Sequence, residues 1–412
     1  MQTSGWLETN ARRIEGDPAL RLFGAALGLA HALTASAWQS YKHATTLTTD
    51  RDDVVCWPLF PDCHAWRVNL TPDRVGLALF VLGALGVGAA LAFARRRAAL
   101  GLVALASGAV VGTVIYALDY RLRFNQVTML GWTTLAFLAA GRSRSQVIQA
   151  LVALFYLWAG TLKLDREWLS GAALYGKPGF VPEALLPAAL VYVVVLELAL
   201  VFGLFAERAW IRWSVYAQLL LFHASSWAVV GHYYPLLMFG LTAIYPLVWR
   251  LTPSEALTAR ALRARPELRT ALAVAVGAFS APELAGRLAF PGEPSLTGEG
   301  RLFGLHMFDA RVECRGGAVL RTTDGARSSV SLVNDGLDAR TRCDPIVLLG
   351  YAKQLCRNLG TRSATLRVDL AVDARRTSEA HLGPLVRADD VCRVPLRYSP
   401  FRHNDWIVAA RP

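Results

Sequence analysis

The stretch QVIQALVALFYLWAGTLKLDREW, residues 146–168, begins with a long apolar segment that ends at Lys163. Similar apolar segments recur through the first 290 residues, and each approaches the roughly 20 residues that an α-helix needs to cross a bilayer. The 412-residue chain is 54% hydrophobic and 18% charged, with a mean hydropathy of +0.34. This composition is too apolar for an ordinary soluble enzyme. It predicts a polytopic α-helical membrane protein.

The apolar segments predict about nine transmembrane helices in residues 1–293. The predicted spans are 20–39, 75–94, 99–118, 126–141, 146–163, 185–205, 212–229, 232–249 and 270–290. Residues 294–412 differ, because they are polar, rich in Arg, Asp and Thr, and carry short alternating runs. Such alternation is typical of strands, so this second part predicts a small extramembrane α+β domain.

The net charge of +12 comes largely from arginines in short connections between apolar segments, such as residues 95–97, 142–144 and 259–269. This placement is typical of cytoplasmic loops and favours a topological role over nucleic-acid binding. With the basic N-terminus inside, nine crossings place the C-terminal domain outside. We therefore expect a bacterial inner-membrane protein with a cytoplasmic N-terminus, a first helix retained as an anchor, and a periplasmic C-terminal domain.

The six cysteines agree with this topology. All of them lie in segments that the topology places outside: Cys56, Cys63, Cys314, Cys343, Cys356 and Cys392. The outside is the oxidising compartment, where disulfides persist, so we predict at least one disulfide. Spacing alone leaves the connectivity open. The eight histidines show no metal-ligand spacing with cysteines or carboxylates, so no metal is predicted.

Lys163 is notable because lysine is scarce in this chain. Of the 43 Lys and Arg residues, four are lysines, at positions 42, 163, 177 and 353. A lysine at a membrane edge commonly extends its ammonium into the headgroups. Alternatively, an apolar setting favours a neutral amine that acts as a general base, which the permanently charged arginine cannot do. We expect the following Asp165, Arg166 and Glu167 to be solvated interface residues.

Three further polar residues are candidates for a functional site. Glu197 lies inside the apolar run VYVVVLELALVFGLF, where an ionisable group is costly and indicates either function or a hydrogen bond between helices. His223, like His232, lies among apolar residues and is either a packing group or a site residue. Asn125 precedes the predicted fourth helix, where it is either a site residue or a helix cap.

Several motifs, in order, resemble the vitamin K-dependent gamma-glutamyl carboxylase family, which includes bacterial proteins with the horizontally transferred transmembrane (HTTM) domain. FYLWAGTLKLDREWLSG is similar to the family's A-G-x-x-K-L-D-x-x-W run. The other resembling segments are DVVCWPLFPDC, ALDYRLRFNQ, FHASSWAVVGHYYPLLM, RLFGLHMFDARVECRGG, DPIVLLGYAKQLC and PFRHNDWI. The chain departs from the family at Gln126, at Ser226 and at Leu305-His306, where the family has His, Asn and Trp-Arg.

The resemblance implies a reaction and assigns roles. The cofactor would be reduced vitamin K or menaquinol, and the other reactants would be O2, CO2 and a glutamate-containing peptide or protein. Lys163 would be the catalytic base, with Asn125, His223 and Glu197 binding the quinol. The resemblance also implies that Cys56 ties the membrane domain to the C-terminal domain, with a local Cys56–Cys63 bond as the alternative. A non-carboxylating membrane protein that binds a quinone, a lipid or a partner protein is the competing functional prediction.

Overall fold

A computed structural model describes residues 3–40, 55–61, 63, 72–177, 181–302, 304–307, 311–333, 340–360 and 366–409. Helices lie at all nine predicted positions. The α-helices of the described residues up to 288 are α1 Thr3–Gly16, α2 Pro18–Ser40, α3 Pro72–Ala94, α4 Ala98–Leu118, α5 Asn125–Ala139, α6 Arg144–Leu162, α7 Arg166–Leu169, α8 Leu186–Leu198, α9 Ala209–Val230, α10 Tyr233–Thr242, α11 Ile244–Leu251, α12 Ala259–Ala264 and α13 Pro266–Leu288.

Six helical segments of the described chain are long and apolar enough to cross a membrane. They are Pro18–Ser40, Asp73–Ala94, Ala98–Leu118, Gly141–Leu162, Tyr233–Leu251 and Pro266–Leu288. This confirms the predicted helical architecture with membrane-length segments. At the other three predicted positions, α5 has 15 residues, α8 has 13 residues before a 3-10 turn, and α9 has 22 residues but carries Arg212, Gln218 and His223. A count of nine crossings stays a prediction.

The central helix of the bundle is α6, the helix that ends at Lys163. Most of its side chains are buried, from Arg144 to Gly160. It packs against α5, α8, α11 and α13, and these helices form one continuous apolar core around it. Because α6 is enclosed in this way, a polar group at its end is held within the protein.

In its described residues, the C-terminal domain is a four-stranded antiparallel sheet with one short and one longer helix. Its elements are α14 Pro294–Thr297, β1 Val312–Thr322, β2 Arg327–Ser331, α15 Pro345–Leu359, β3 Leu366–Arg376 and β4 Gly383–Ala388. The strand order is β2-β1-β3-β4. The core of this domain includes Val55, Trp57 and Tyr120, which come from connections between the membrane-length helices. The sheet domain is therefore packed directly onto one end of the helix bundle.

Three disulfides are present, which confirms the prediction of disulfide bonding. They join Cys56 to Cys63, Cys314 to Cys343, and Cys356 to Cys392. The bond from Cys56 to the C-terminal domain that the resemblance implies is wrong, and the local alternative is the one formed. The physical reason is a tight turn, in which the Phe60 N–H donates to the Trp57 carbonyl and the Cys63 N–H donates to the Phe60 carbonyl.

Candidate functional site

Lys163 and Glu197 form a buried ion pair. Lys163 follows the last residue of α6, and its Nζ donates to Oε2 of Glu197 on α8 at 2.5 Å. The two side chains are 2% and 0% exposed. The interpretation of Lys163 as a lysine that reaches into the headgroups is therefore wrong, because its ammonium lies inside the protein. Glu197 forms the contact between helices that its position allowed.

A glycine lets the two helices approach closely enough for this pair. A Cβ on Gly160 would lie 2.8 Å from Cδ2 of Leu198 and 2.9 Å from Cβ of Glu197, both closer than van der Waals contact. The AG dipeptide that precedes Lys163 in the sequence therefore has a packing role. It brings the end of α6 against the segment of α8 that carries Glu197, as small residues do at crossings of membrane helices.

Aromatic rings surround the Lys163 ammonium. Nζ lies 5.3 Å from the ring centroid of Trp168 and 5.8 Å from that of Phe222, within range of cation–π attraction. The Trp168 indole is itself fixed, because its Nε1 donates to the Leu190 carbonyl at 3.1 Å. These rings limit the access of water and leave Glu197 as the charged partner of the lysine.

His223 lies beside this pair, on the same helix as Phe222. Its Nε2 is 2.5 Å from the hydroxyl of Tyr156, which lies on α6. Its ring also packs edge-on against Tyr234, with centroids 5.3 Å apart. His232, in contrast, is exposed at the start of α10 and does not join the site.

Two buried polar atoms in this cluster lack a partner among the described residues. They are Oε1 of Glu197 and Nδ1 of His223. Buried polar atoms are usually hydrogen-bonded, so an unpaired donor or acceptor next to a buried ion pair indicates where a ligand or an ordered water could bind. We define the Lys163 site as Lys163, Glu197, His223, Tyr156 and the aromatic rings around them.

The segment after Lys163 contacts the sheet domain. Asp165 accepts two hydrogen bonds from the Arg376 guanidinium, at 2.9 and 3.0 Å, and Glu167 accepts one from the Ser378 N–H at 2.9 Å. The Asp165 side chain also caps α7 by accepting from the Glu167 N–H. Burial acts to lower the pKa of Arg376, but its hydrogen bonds and charge pairing with Asp165 raise the pKa overall. The expectation of solvated residues is therefore wrong for Glu167, which is buried; Asp165 is partly exposed but paired, and Arg166 is exposed as expected.

Asn125 lies in a different contact set. Its Nδ2 donates to the His306 carbonyl at 2.5 Å, and its Oδ1 accepts from the His306 N–H at 3.0 Å. Asn125 is the first residue of α5 and its side chain does not cap that helix. It holds the chain that leads into the sheet domain, a role that sequence reasoning missed because the partner is a backbone group 181 residues away.

Burial lowers the pKa of the His306 imidazole well below its usual value. Neighbouring guanidinium groups lower it further: Arg123, Arg301, Arg287 and Arg340. Among the described residues, no group of three or more His, Cys, Asp or Glu side chains is placed to hold a metal ion. The chain matches no protein-family model, no curated protein and no solved structure.

Proposed function

We propose that this protein is a membrane-embedded, vitamin K-dependent gamma-carboxylase-like enzyme that couples oxidation of a reduced quinone by O2 to carboxylation of glutamate. The observation that carries this proposal is the buried pair of Lys163 with Glu197. A lysine that only anchors a helix has no need of burial, because its ammonium can reach water. A buried, paired lysine is suited to proton transfer in a site that excludes water.

The side chains of the Lys163 site fit a flat, apolar ring that carries two oxygen atoms. The unpaired Nδ1 of His223 and Oε1 of Glu197 offer polar contacts, and Trp168 and Phe222 offer aromatic surface. A reduced quinone bound here would supply four electrons to O2, two from its hydroquinone and two from the ring double bond that becomes an epoxide, together with the base strength that removal of a glutamate γ-proton requires. One oxygen atom of O2 would end in the epoxide and the other in water.

The chain itself moves protons at two atoms. Oε2 of Glu197 lies 2.5 Å from Nζ of Lys163, so it is placed to accept the ammonium proton and leave a neutral amine. Neutral Nζ would then be placed to take a proton from a quinol hydroxyl. In the carboxylation, the γ C–H bond of glutamate would break, its proton would go to the strong base that the quinol supplies rather than to the lysine, and a C–C bond would form to CO2. The aromatic shell protects this chemistry by keeping water out.

The proposed topology places nine crossings in a bacterial inner membrane, with the N-terminus in the cytoplasm and the sheet domain in the periplasm. The three disulfides support this orientation, because disulfides persist in an oxidising compartment. The arginine-rich connections support it as well, because they then lie on the cytoplasmic side.

The test is incorporation of labelled CO2 into a glutamate-containing peptide by purified protein in lipid nanodiscs, with and without quinol and O2. Lys163→Arg can still pair with Glu197 but cannot become neutral, so we expect a loss of about 10²–10⁴-fold or more. The exposed Lys177 supplies the matched control, and Lys177→Arg should keep full activity. Equal turnover by Lys163→Arg and wild type would show that this lysine is not the base.

The competing function is a non-carboxylating membrane protein that binds a quinone, a lipid or a partner protein. One observation favours it: both polar atoms of the Asn125 amide are engaged by the His306 backbone, so they are not free for a quinol. Saturable quinol binding with no quinol-dependent CO2 incorporation and no epoxide would support this alternative.

A further inference from the structure

A pocket of about 240 Å³ lies where the helix bundle meets the sheet domain, separate from the Lys163 site. Its walls come from the start of α5, from α13 and from the chain that enters the sheet domain. The lining residues used below are Arg123, Asn125, Thr128, Trp132, Pro282 and Arg301. The pocket therefore combines two guanidinium groups with apolar and aromatic walls.

The position of the pocket indicates that its ligand arrives from the bilayer. Helices α5 and α13 both pack against α6 and both contribute to the pocket wall. α5 exposes Leu135, which is 54% accessible, and α13 exposes Val274 and Leu288, at 66% and 81%, on either side of Pro282 along the helix. Such apolar faces belong in lipid, so the pocket lies between two helices that also face acyl chains.

Packed aromatic rings lie at the inner side of the pocket. Phe279 of α13 packs edge-on against Trp132 of α5 and Phe155 of α6, with ring centroids 5.7 and 5.2 Å apart. Trp132 lies about two helical turns below the start of α5, or roughly 10 Å along the helix axis. A ligand held here would have its head near Arg123 and its tail along the outer face of α5.

The head of the pocket is positively charged. Nη1 of Arg123 donates to the Arg301 carbonyl at 3.1 Å, which holds its guanidinium over the pocket. Arg301 is buried and paired with Asp344 at 2.7 Å. The other nearby carboxylate, Glu283, accepts from the Leu305 N–H and lies on α13 next to Arg287. Arg287 also lies at this end of the bundle, where its Nη1 donates to Oγ1 of Thr161 at 2.9 Å.

From these observations we infer that this pocket binds the headgroup phosphate of an anionic phospholipid, whose acyl chains lie along the exposed apolar face of α5. Arg123 supplies the charge-assisted hydrogen bonds, and Thr128 with the Asn125 end of α5 borders the glycerol region. Two features favour a lipid over a soluble acidic peptide. The pocket lies between two helices with exposed apolar faces, and Trp132 makes its inner side aromatic. The bound lipid would fill the space between the helix bundle and the sheet domain. This binding does not depend on the chemistry proposed at Lys163.

The test uses wild-type protein in nanodiscs that contain a diazirine-labelled phosphatidylglycerol or an equally labelled phosphatidylcholine at the same mole fraction. We expect phosphatidylglycerol to label peptides within residues 116–132 and 282–304, about tenfold more than phosphatidylcholine, as expected for one charge-assisted contact. Equal labelling by both lipids, or labelling spread evenly over the bundle, would overturn the inference.

Two variants and one control complete the test. Arg123→Gln removes the guanidinium charge from the pocket, and Thr128→Trp fills the pocket. Both variants should therefore abolish the preference for phosphatidylglycerol. Arg315→Gln removes an exposed arginine from β1 and should keep the preference. If Arg123→Gln does not fold, Thr128→Trp still decides the outcome. Displacement of the labelled lipid by a soluble glutamate peptide or by a quinone would assign the pocket to that ligand and refute the lipid site.

Discussion

Removing either partner of the Lys163–Glu197 pair should cost far more stability than removing both. The side chains are 2% and 0% exposed, so the small values typical of surface ion pairs do not apply. Lys163→Met leaves a carboxylate buried without its cation, and Glu197→Leu leaves a buried ammonium. Each single variant should lose about 3–5 kcal/mol of unfolding free energy.

The double variant, Lys163→Met with Glu197→Leu, should recover most of this loss. Replacing a buried ion pair by apolar groups of similar volume is often neutral or stabilising, because the desolvation cost of both charges disappears. The coupling energy between the two sites should then be about 3 kcal/mol or larger. The assay is reversible unfolding in mixed micelles, followed by tryptophan fluorescence, on the wild type and all three variants.

A matched pair on the sheet domain serves as the control. Arg375 and Glu313 lie 2.7 Å apart, but their side chains are 35% and 54% exposed. The same cycle there should give a coupling of about 0–1 kcal/mol. A coupling energy below about 0.5 kcal/mol, the range found for independent sites, would show that Lys163 and Glu197 do not form a buried ion pair. A double variant as unstable as the two single variants combined would show the same.

Three further perturbations test contacts around the site. Gly160→Ala should destabilise the bundle by about 1–3 kcal/mol because its Cβ meets α8, whereas Gly131→Ala, whose Cβ would meet nothing within 4 Å, should be neutral or stabilising in the same micelle assay. Arg376→Gln should increase amide hydrogen exchange in residues 165–169, since their carboxylates lose a buried partner, and Arg375→Gln should leave that exchange unchanged. The depressed pKa of His306 means that the unfolded chain binds its proton first, so this residue should lower stability as pH falls below about 6.5, by up to about 1.4 kcal/mol per pH unit. His306→Leu should flatten that part of the pH profile, and an unchanged slope would show that the imidazole is not the cause.

The sequence by itself determined the class of protein and the positions of its helices. Apolar runs of membrane length are a local property, and helices form at every predicted position because a helix satisfies its own backbone hydrogen bonds in an apolar setting. The sequence also predicted disulfides, since all six cysteines fall in segments that the predicted topology places outside. The pairing of Cys56 with Cys63 depended on a local turn, whereas the other two bonds join residues 29 and 36 positions apart that the fold of the sheet domain brings together.

Only the tertiary structure decided what the polar residues do. Lys163 and Glu197 are 34 positions apart and lie on different helices, and their contact depends on the close approach that Gly160 permits. The structure hydrogen-bonds His223 to Tyr156 of α6, and assigns Asn125 instead to the backbone of His306. Apolar periodicity shows that a segment is buried, but it does not show which neighbour it meets. A buried charge takes its role from that neighbour, because the stability of a charge in a low-dielectric interior depends on the few groups within hydrogen-bond distance.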